Sequence, residues 1–231
     1  AILSRGLGDV YKRQTYFNDV DRDNPSLGVS QFEIPERMSA YMRWSPTLFA
    51  DLESRFSLTW SHNKGRPYSF VFNGYPDMRG DALDGDGDNM LLYVPTGPND
   101  PNVVFADGFD TDAFFATMDS YGFERGAFVD RGQHYSPWYA RLNFKFEQML
   151  PGLRTNDQSS VFFTIRNLGN FLNDEWGIYN FQSDHDIVDG QALNDGVDQY
   201  YIYRNFRGLR DKGRSGRGSS YLVKIGFSYR F

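Results

Sequence analysis

The sequence predicts an all-β fold whose strands form the wall of an antiparallel membrane β-barrel. Three observations carry that expectation. From Tyr221 to Phe231 the chain alternates strictly: Tyr221, Val223, Ile225, Phe227, Tyr229 and Phe231 share one face, and Leu222, Lys224, Gly226, Ser228 and Arg230 the other. Period two marks a strand with unlike faces. Aromatic residues make up 17% of the chain, with 21 Phe and 15 Tyr. They favour strands and collect at bilayer interfaces. Finally, several internal segments repeat the charged-face, apolar-face pattern over lengths unusual for soluble strands.

Taken in order, Ser4 to Gln14 (Ser-Arg-Gly-Leu-Gly-Asp-Val-Tyr-Lys-Arg-Gln) looks like a translated sequencing-library adapter. Residues 1–14 are therefore set aside, and Thr15 is expected to begin a piece of a longer protein. Thr15 to Ile34 reads as a polar loop. Arg37 to Trp44 alternates as a strand and meets the turn signal Trp44-Ser45-Pro46-Thr47. Ser54, Phe56, Leu58 and Trp60 then face away from Glu53, Arg55, Ser57, Thr59 and Ser61. This segment, Ala50 to Lys64, can run about 15 residues, against a soluble mean of about 5–6. Trp138, Ala140, Leu142, Phe144 and Phe146 repeat the pattern opposite Tyr139, Arg141, Asn143, Lys145 and Glu147. Val161, Phe163 and Ile165 do so again, blurred by Phe162, and Tyr201 to Phe206 is a weaker strand.

Gly65 to Ser136 reads as a long irregular loop broken by Gly85, Gly87, Pro95, Pro98 and Pro101. One helix is expected inside it. Asp110 caps its start, Phe114, Phe115, Met118 and Tyr121 recur at helical spacing, and Gly122 ends it. Two further polar stretches follow, Asp-rich Ser183 to Gln199 and basic, Gly-rich Gly208 to Ser219. The parity of strands after Trp138 leaves open which turns face outward.

Composition excludes several classes. The net charge is −6, a poor balance for gripping phosphates, so no nucleic-acid partner is expected. There is no cysteine, hence no disulfide framework and no thiolate metal site. The longest apolar run, Met90 to Val94, falls far short of the ~18 residues of a membrane helix, whereas barrel strands escape hydropathy scales because half their residues are polar.

Spaced motifs then suggest a family. Gly65-Arg66-Pro67-Tyr68-Ser69-Phe70 precedes Asp88-Asn89-Met90-Leu91-Leu92-Tyr93-Val94-Pro95, Arg125-Gly126 and Pro137-Trp138-Tyr139-Ala140-Arg141-Leu142. Asn167-Leu168-Gly169-Asn170-Phe171-Leu172-Asn173-Asp174-Glu175-Trp176-Gly177 and the terminal strand complete the order. This succession resembles the carboxyl-terminal part of a TonB-dependent outer-membrane receptor of the Oar-like subgroup. The resemblance covers Arg37 to Phe231. It implies roughly a third of a 22-stranded barrel whose plug lies upstream. The final strand, with its terminal Phe, resembles the closing strand of Gram-negative outer-membrane barrels. By that likeness Tyr221, Val223, Ile225, Phe227, Tyr229 and Phe231 form an assembly signal read by the barrel-assembly machinery.

The resemblance further implies outer-membrane lipid as surroundings, TonB as a partner through the missing amino-terminal region, and an extracellular ligand met by loop 65–136. Trp44, Trp60 and Trp138, with Tyr221, are expected as interface anchors. Glu53, Arg55, Arg141, Lys145, Lys224 and Arg230 would face the lumen.

Other sites are weak. Asp84, Asp86 and Asp88 begin a calcium-like loop, but Asn89 and Pro95 stand where an EF-hand needs Gly and Glu. A looser Ca²⁺ site is the only cofactor the sequence suggests, and an ordinary solvated acidic turn is favoured over it. His62, His134 and His185 read as separate solvated loop histidines. No nucleophile elbow, zinc-protease helix or phosphate loop occurs, so no enzyme is expected. The expected function is ligand binding for energy-coupled uptake across the outer membrane of a Gram-negative bacterium. The alternatives are a passive porin or structural barrel and, behind these, a secreted soluble glycan-binding β-protein.

Overall fold

A computed structural model describes residues 18, 20, 27–49, 51–73, 90–154, 157–194 and 199–231. The adapter-like stretch 4–14 and the three aspartates Asp84, Asp86 and Asp88 lie outside the described residues. The chain runs β1 (Arg37–Trp44), β2 (Thr47–Phe49), β3 (Leu52–Asn63), β4 (Pro67–Tyr68), β5 (Phe70–Asn73), β6 (Tyr93–Val94) and β7 (Val103–Phe105). It continues through α1 (Thr111–Tyr121), β8 (Ala127–Phe128), β9 (His134–Tyr135), β10 (Tyr139–Pro151), β11 (Gln158–Arg166) and α2 (Leu168–Leu172). Then follow β12 (Asn180–Phe181), β13 (His185–Asn194), β14 (Gln199–Phe206), β15 (Gly213–Arg214), α3 (Gly216–Ser219) and β16 (Leu222–Arg230). The class is all-β. The chain divides into a sheet unit (34–65, 136–181 and 212–231) and an insertion unit (1–33, 66–135 and 182–211).

The sheet unit is built on an antiparallel sheet of order β1-β3-β10-β11-β16, with β2 paired to β3 beside it. For the residues inside these strands, the face assignments made from the alternation hold in the register. Trp44, Phe56, Phe146, Phe163 and Ile225 form one cross-strand row. Met42, Leu58, Phe144, Ile165 and Val223 form the next on the same face. Between them, on the opposite face, run Arg43, Ser57, Lys145, Thr164 and Lys224. Phe162 breaks the alternation for a local reason. It lies over Gly226, where an added Cβ would come within 2.3 Å of its ring. An aromatic covering a strand glycine restores packing that glycine lacks. The sheet does not close: β1 and β16 are its edges.

Register also settles the parity. Trp44 to Leu52 and the six residues Gly152 to Asp157 join strands at one end of the sheet. Residues 64–138 and 167–221 leave from the other end, so both long excursions share one side.

Among the described residues, the stretch Gly65 to Ser136 is not the irregular loop expected. Residues 66–135 belong with 182–211 to the insertion unit, which has its own core. Its sheet has the order β5-β13-β14-β7. The antiparallel hairpin β13–β14 comes from the second excursion and sits between β5 and β7 of the first, parallel to each. The Asp-rich polar stretch Ser183 to Gln199 contains strand β13 (His185–Asn194). Phe70, Phe72, Leu92, Val94, Ile187 and Tyr203 are fully buried, and the apolar run Met90 to Val94 is core. Helix α1 matches expectation at both ends. Asp110 Oδ1 accepts the Ala113 N–H, and Gly122 takes φ 70°, a left-handed cap that suits glycine. Phe114, Phe115 and Met118 turn inward from it.

Ser69 ties the two excursions together. Its N–H donates to Asp184 Oδ1 at 2.7 Å, and its carbonyl accepts the His185 N–H at 2.8 Å. Asn73 Nδ2 adds a donor to Asp189 Oδ1 at 2.5 Å.

Candidate functional site

The charged face of the sheet carries a groove. Arg43, Arg55 and Lys145 line it with the hydroxyls of Tyr41, Ser57, Thr59 and Thr164. Strand alternation puts these groups on one side, and cross-strand pairing gathers them from four strands. Two carboxylates share the face. Glu53 pairs with Arg55 at 2.5 Å and lies 3.7 Å from Arg43. Glu147 pairs with Lys145 at 3.0 Å and accepts from Ser160 Oγ at 3.2 Å. Lys145 also sits 5.4 Å above the Phe162 ring. The expected lumen-facing set Glu53, Arg55, Arg141, Lys145, Lys224 and Arg230 does share this face. Sequence reading put Glu147 on the face of Lys145 but did not put Arg43 beside Glu53. Glu53 lies on the neighbouring strand from Arg43, a contact visible only once register is known.

The opposite face is mainly apolar, with Ser54 and Gln148 paired and buried within it, and it is most exposed along the edge strands β1 and β16. Ile225 is 76% exposed and Phe227 63%. The expected assembly-signal residues Val223, Ile225, Phe227 and Tyr229 share this face of edge strand β16, with Tyr221 and Phe231 flanking it. The expected anchors sit at the two ends. Trp44, at the short-turn end, stacks on Phe56 at 5.3 Å. Trp60 and Trp138, toward the end with the long excursions, stack on either side of His62 at 5.8 and 4.8 Å.

A polar lock holds the end where the excursions leave. Asn167 is buried at φ 55° and donates from Nδ2 to the carbonyls of Gly177 and Ser219, at 2.9 and 2.8 Å. Its N–H donates to Asn143 Oδ1 at 2.9 Å. Asn170 Nδ2 reaches the Asp174 and Trp176 carbonyls. The Asn-Leu-Gly-Asn motif is thus a structural post that joins β10, β11 and the approach to β16.

In the insertion unit the histidines correct the sequence reading. His185 is only 2% exposed. It and His134 both pack against Phe70 and Tyr68. Tyr121 and Phe123 close over His134. The Arg210 N–H donates to His185 Nδ1 at 3.0 Å, so that nitrogen is unprotonated. Burial pushes the His185 pKa down to about 4, against the pull of Asp186 and Asp184, with Arg210 and His134 helping burial. Burial also lowers that of His134 and lifts the Tyr68 phenol to about 12, where Tyr121 adds to it. His62, in the sheet unit, is half-buried between its two tryptophans.

A second buried polar centre is Asp100. Burial pushes its carboxyl up. Hydrogen bonds from the Thr96 N–H and hydroxyl, the Asn102 N–H and the Tyr93 hydroxyl outweigh that and leave it below the usual carboxylate range. These groups fill its acceptor sites, so Asp100 stabilises a turn.

Among the described residues no group of three or more His, Asp or Glu is placed to hold a metal ion. No family model, no curated protein and no solved structure matches the chain.

Proposed function

We propose that the chain is the carboxyl-terminal part of a TonB-dependent outer-membrane receptor, contributing roughly a third of a 22-stranded wall. The observation that carries this reading is the open sheet with one charged face, one exposed apolar face and both long excursions at one end. Lipid is the natural cover for the apolar rows, and water in a lumen suits the charged rows. Outer-membrane barrels keep short turns on the periplasmic side and long loops outside. The insertion unit is then extracellular and is the ligand-binding part. The receptor sits in the outer membrane of a Gram-negative bacterium, and the barrel-assembly machinery inserts it by its last strand. TonB acts through the upstream plug region, and the chain itself catalyses no reaction.

The absence of cysteine gives a direct test. Single cysteines are placed in the full-length protein and probed on intact cells with a membrane-impermeant thiol reagent. Asn99→Cys in the insertion unit is expected to label. Leu153→Cys in the short turn is expected to label only after the outer membrane is permeabilised. Labelling of both, or recovery of the protein in the soluble fraction, would refute the reading. A passive barrel shares the sheet. It would lack the plug, and uptake through it would persist in cells without TonB.

A further inference from the structure

The two units carry opposite charge, and the sheet concentrates its cations on one face. β1 gives Arg37 and Arg43 to that face, β3 gives Arg55, and β10 gives Arg141 and Lys145. β11 adds Arg166, and β16 adds Lys224 and Arg230. Against these eight cations stand two carboxylates, Glu53 and Glu147. The chain as a whole is at −6, so this face runs against its balance. Glu53 and Glu147 are already engaged by Arg55 and Lys145. Arg37, Arg166, Lys224 and Arg230 have no carboxylate partner among the described residues.

The groove in this face is suited to oxyanions. Arg43, Arg55 and Lys145 supply positive charge, and four hydroxyls beside them supply neutral donors. Guanidinium groups bind carboxylate and phosphate oxygens in pairs. Glu147 also lines the groove, but its three cations leave it net positive, and a concave wall of net positive charge raises the local concentration of anions.

We infer that this face of the sheet is a binding wall for a small oxyanion-bearing solute, with Arg43, Arg55 and Lys145 as its contact residues. The inference rests on the barrel reading, which turns the face into a lumen. It narrows the transported ligand to solutes carrying phosphate or carboxylate groups.

The test uses the purified full-length protein in uncharged phosphatidylcholine vesicles. Inorganic pyrophosphate, citrate and, as a cationic control, choline are measured by equilibrium dialysis. Pyrophosphate or citrate should bind and choline should not, and the tighter anion identifies the group recognised. The double variant Arg43→Gln, Lys145→Gln should weaken anion binding by about tenfold, since two charges within a few ångströms of the ligand are removed. Arg43→Lys should retain most of it. Equal binding of choline, no binding of either anion, or an unchanged double variant would overturn the inference. Should the double variant fail to assemble, a salt series on the unaltered protein decides: affinity that does not fall with rising NaCl overturns it. An upstream acidic segment that occupies the groove would abolish anion binding and count as refutation. Cysteine labelling on the same preparation separates the two claims. A wrong labelling pattern sinks the barrel, whereas correct labelling without anion binding sinks only the oxyanion wall.

Discussion

The sheet unit and the insertion unit place their hydrophobic residues in opposite ways. In the insertion unit Phe72 and Tyr203 are at 0% exposure, ringed by other aromatics. In the sheet unit the rows containing Ile225 and Phe227 face outward, while Arg55 and Lys145 are gathered in a groove. One chain thus follows two solvation rules within a few residues of sequence. The insertion unit turns its apolar groups in, as a part surrounded by water does, and the membrane setting proposed above is what would let the sheet unit turn them out.

The sharpest way to break this contrast is to hollow the insertion core. Phe72→Ala should cost that unit about 3–5 kcal/mol. Limited proteolysis and hydrogen exchange in the full-length protein should show the insertion loosened while the sheet stays protected. Loss of protection in both would mean that the two units do not separate energetically.

A charge on the greasy face comes next. Phe163→Arg should destabilise the membrane-inserted protein by about 2–4 kcal/mol, the range for Arg near a bilayer midplane. Ser228→Arg, on the other face, should be nearly neutral. Urea unfolding in vesicles measures both. Equal effects would erase the distinction between the faces.

The third effect is one of pH. His185 is neutral when folded, with its pKa depressed to about 4 from the ordinary 6.5. Between those values the unfolded chain binds more protons, so stability rises with pH through that window and is lost as pH falls through it. The loss is on the order of 2–3 kcal/mol by pH 4. Burial sets it, opposed by the neighbouring Asp186 and Asp184 and aided by Arg210 and His134. Hydrogen exchange at Phe70 to Asn73, corrected for intrinsic rates, should open on acidification. His185→Asn should flatten that response, and an unchanged response would rule out His185 as its source.

The smallest effect is at α1. Asp110→Ala removes the cap on the Ala113 N–H and should cost about 1 kcal/mol, read as faster exchange in the first helical turn.

What could be read in advance follows from how each part is encoded. The strands β1, β3, β10 and β16 declare themselves because alternation over eight to thirteen residues is local. Helix α1 declares itself through Asp110, Gly122 and the spacing of Phe114 and Met118. The insertion unit does not, because β4 to β9 are two to four residues long and carry no usable period. Their partners lie far off in sequence, so Gly65 to Ser136 read as loop. His185 was misjudged because Asp184 and Asp186 flank it. In an extended segment such neighbours need not share its face, and the burial of His185 depends on Phe70, Tyr68 and the Arg210 backbone. The groove was half legible. The alternation put Arg55, Lys145 and Glu147 on charged faces, but only the register set Arg43 beside them.

The nested strands of the insertion unit also fix a timetable. A ribosome delivers β5 and β7 long before the hairpin that belongs between them. Ser69 waits 115 residues for Asp184. Until then the first excursion has two outer slats and no middle, and its aromatic cluster lacks Tyr203. A chain ending before Gln182 would therefore leave the earlier segment without its two middle strands.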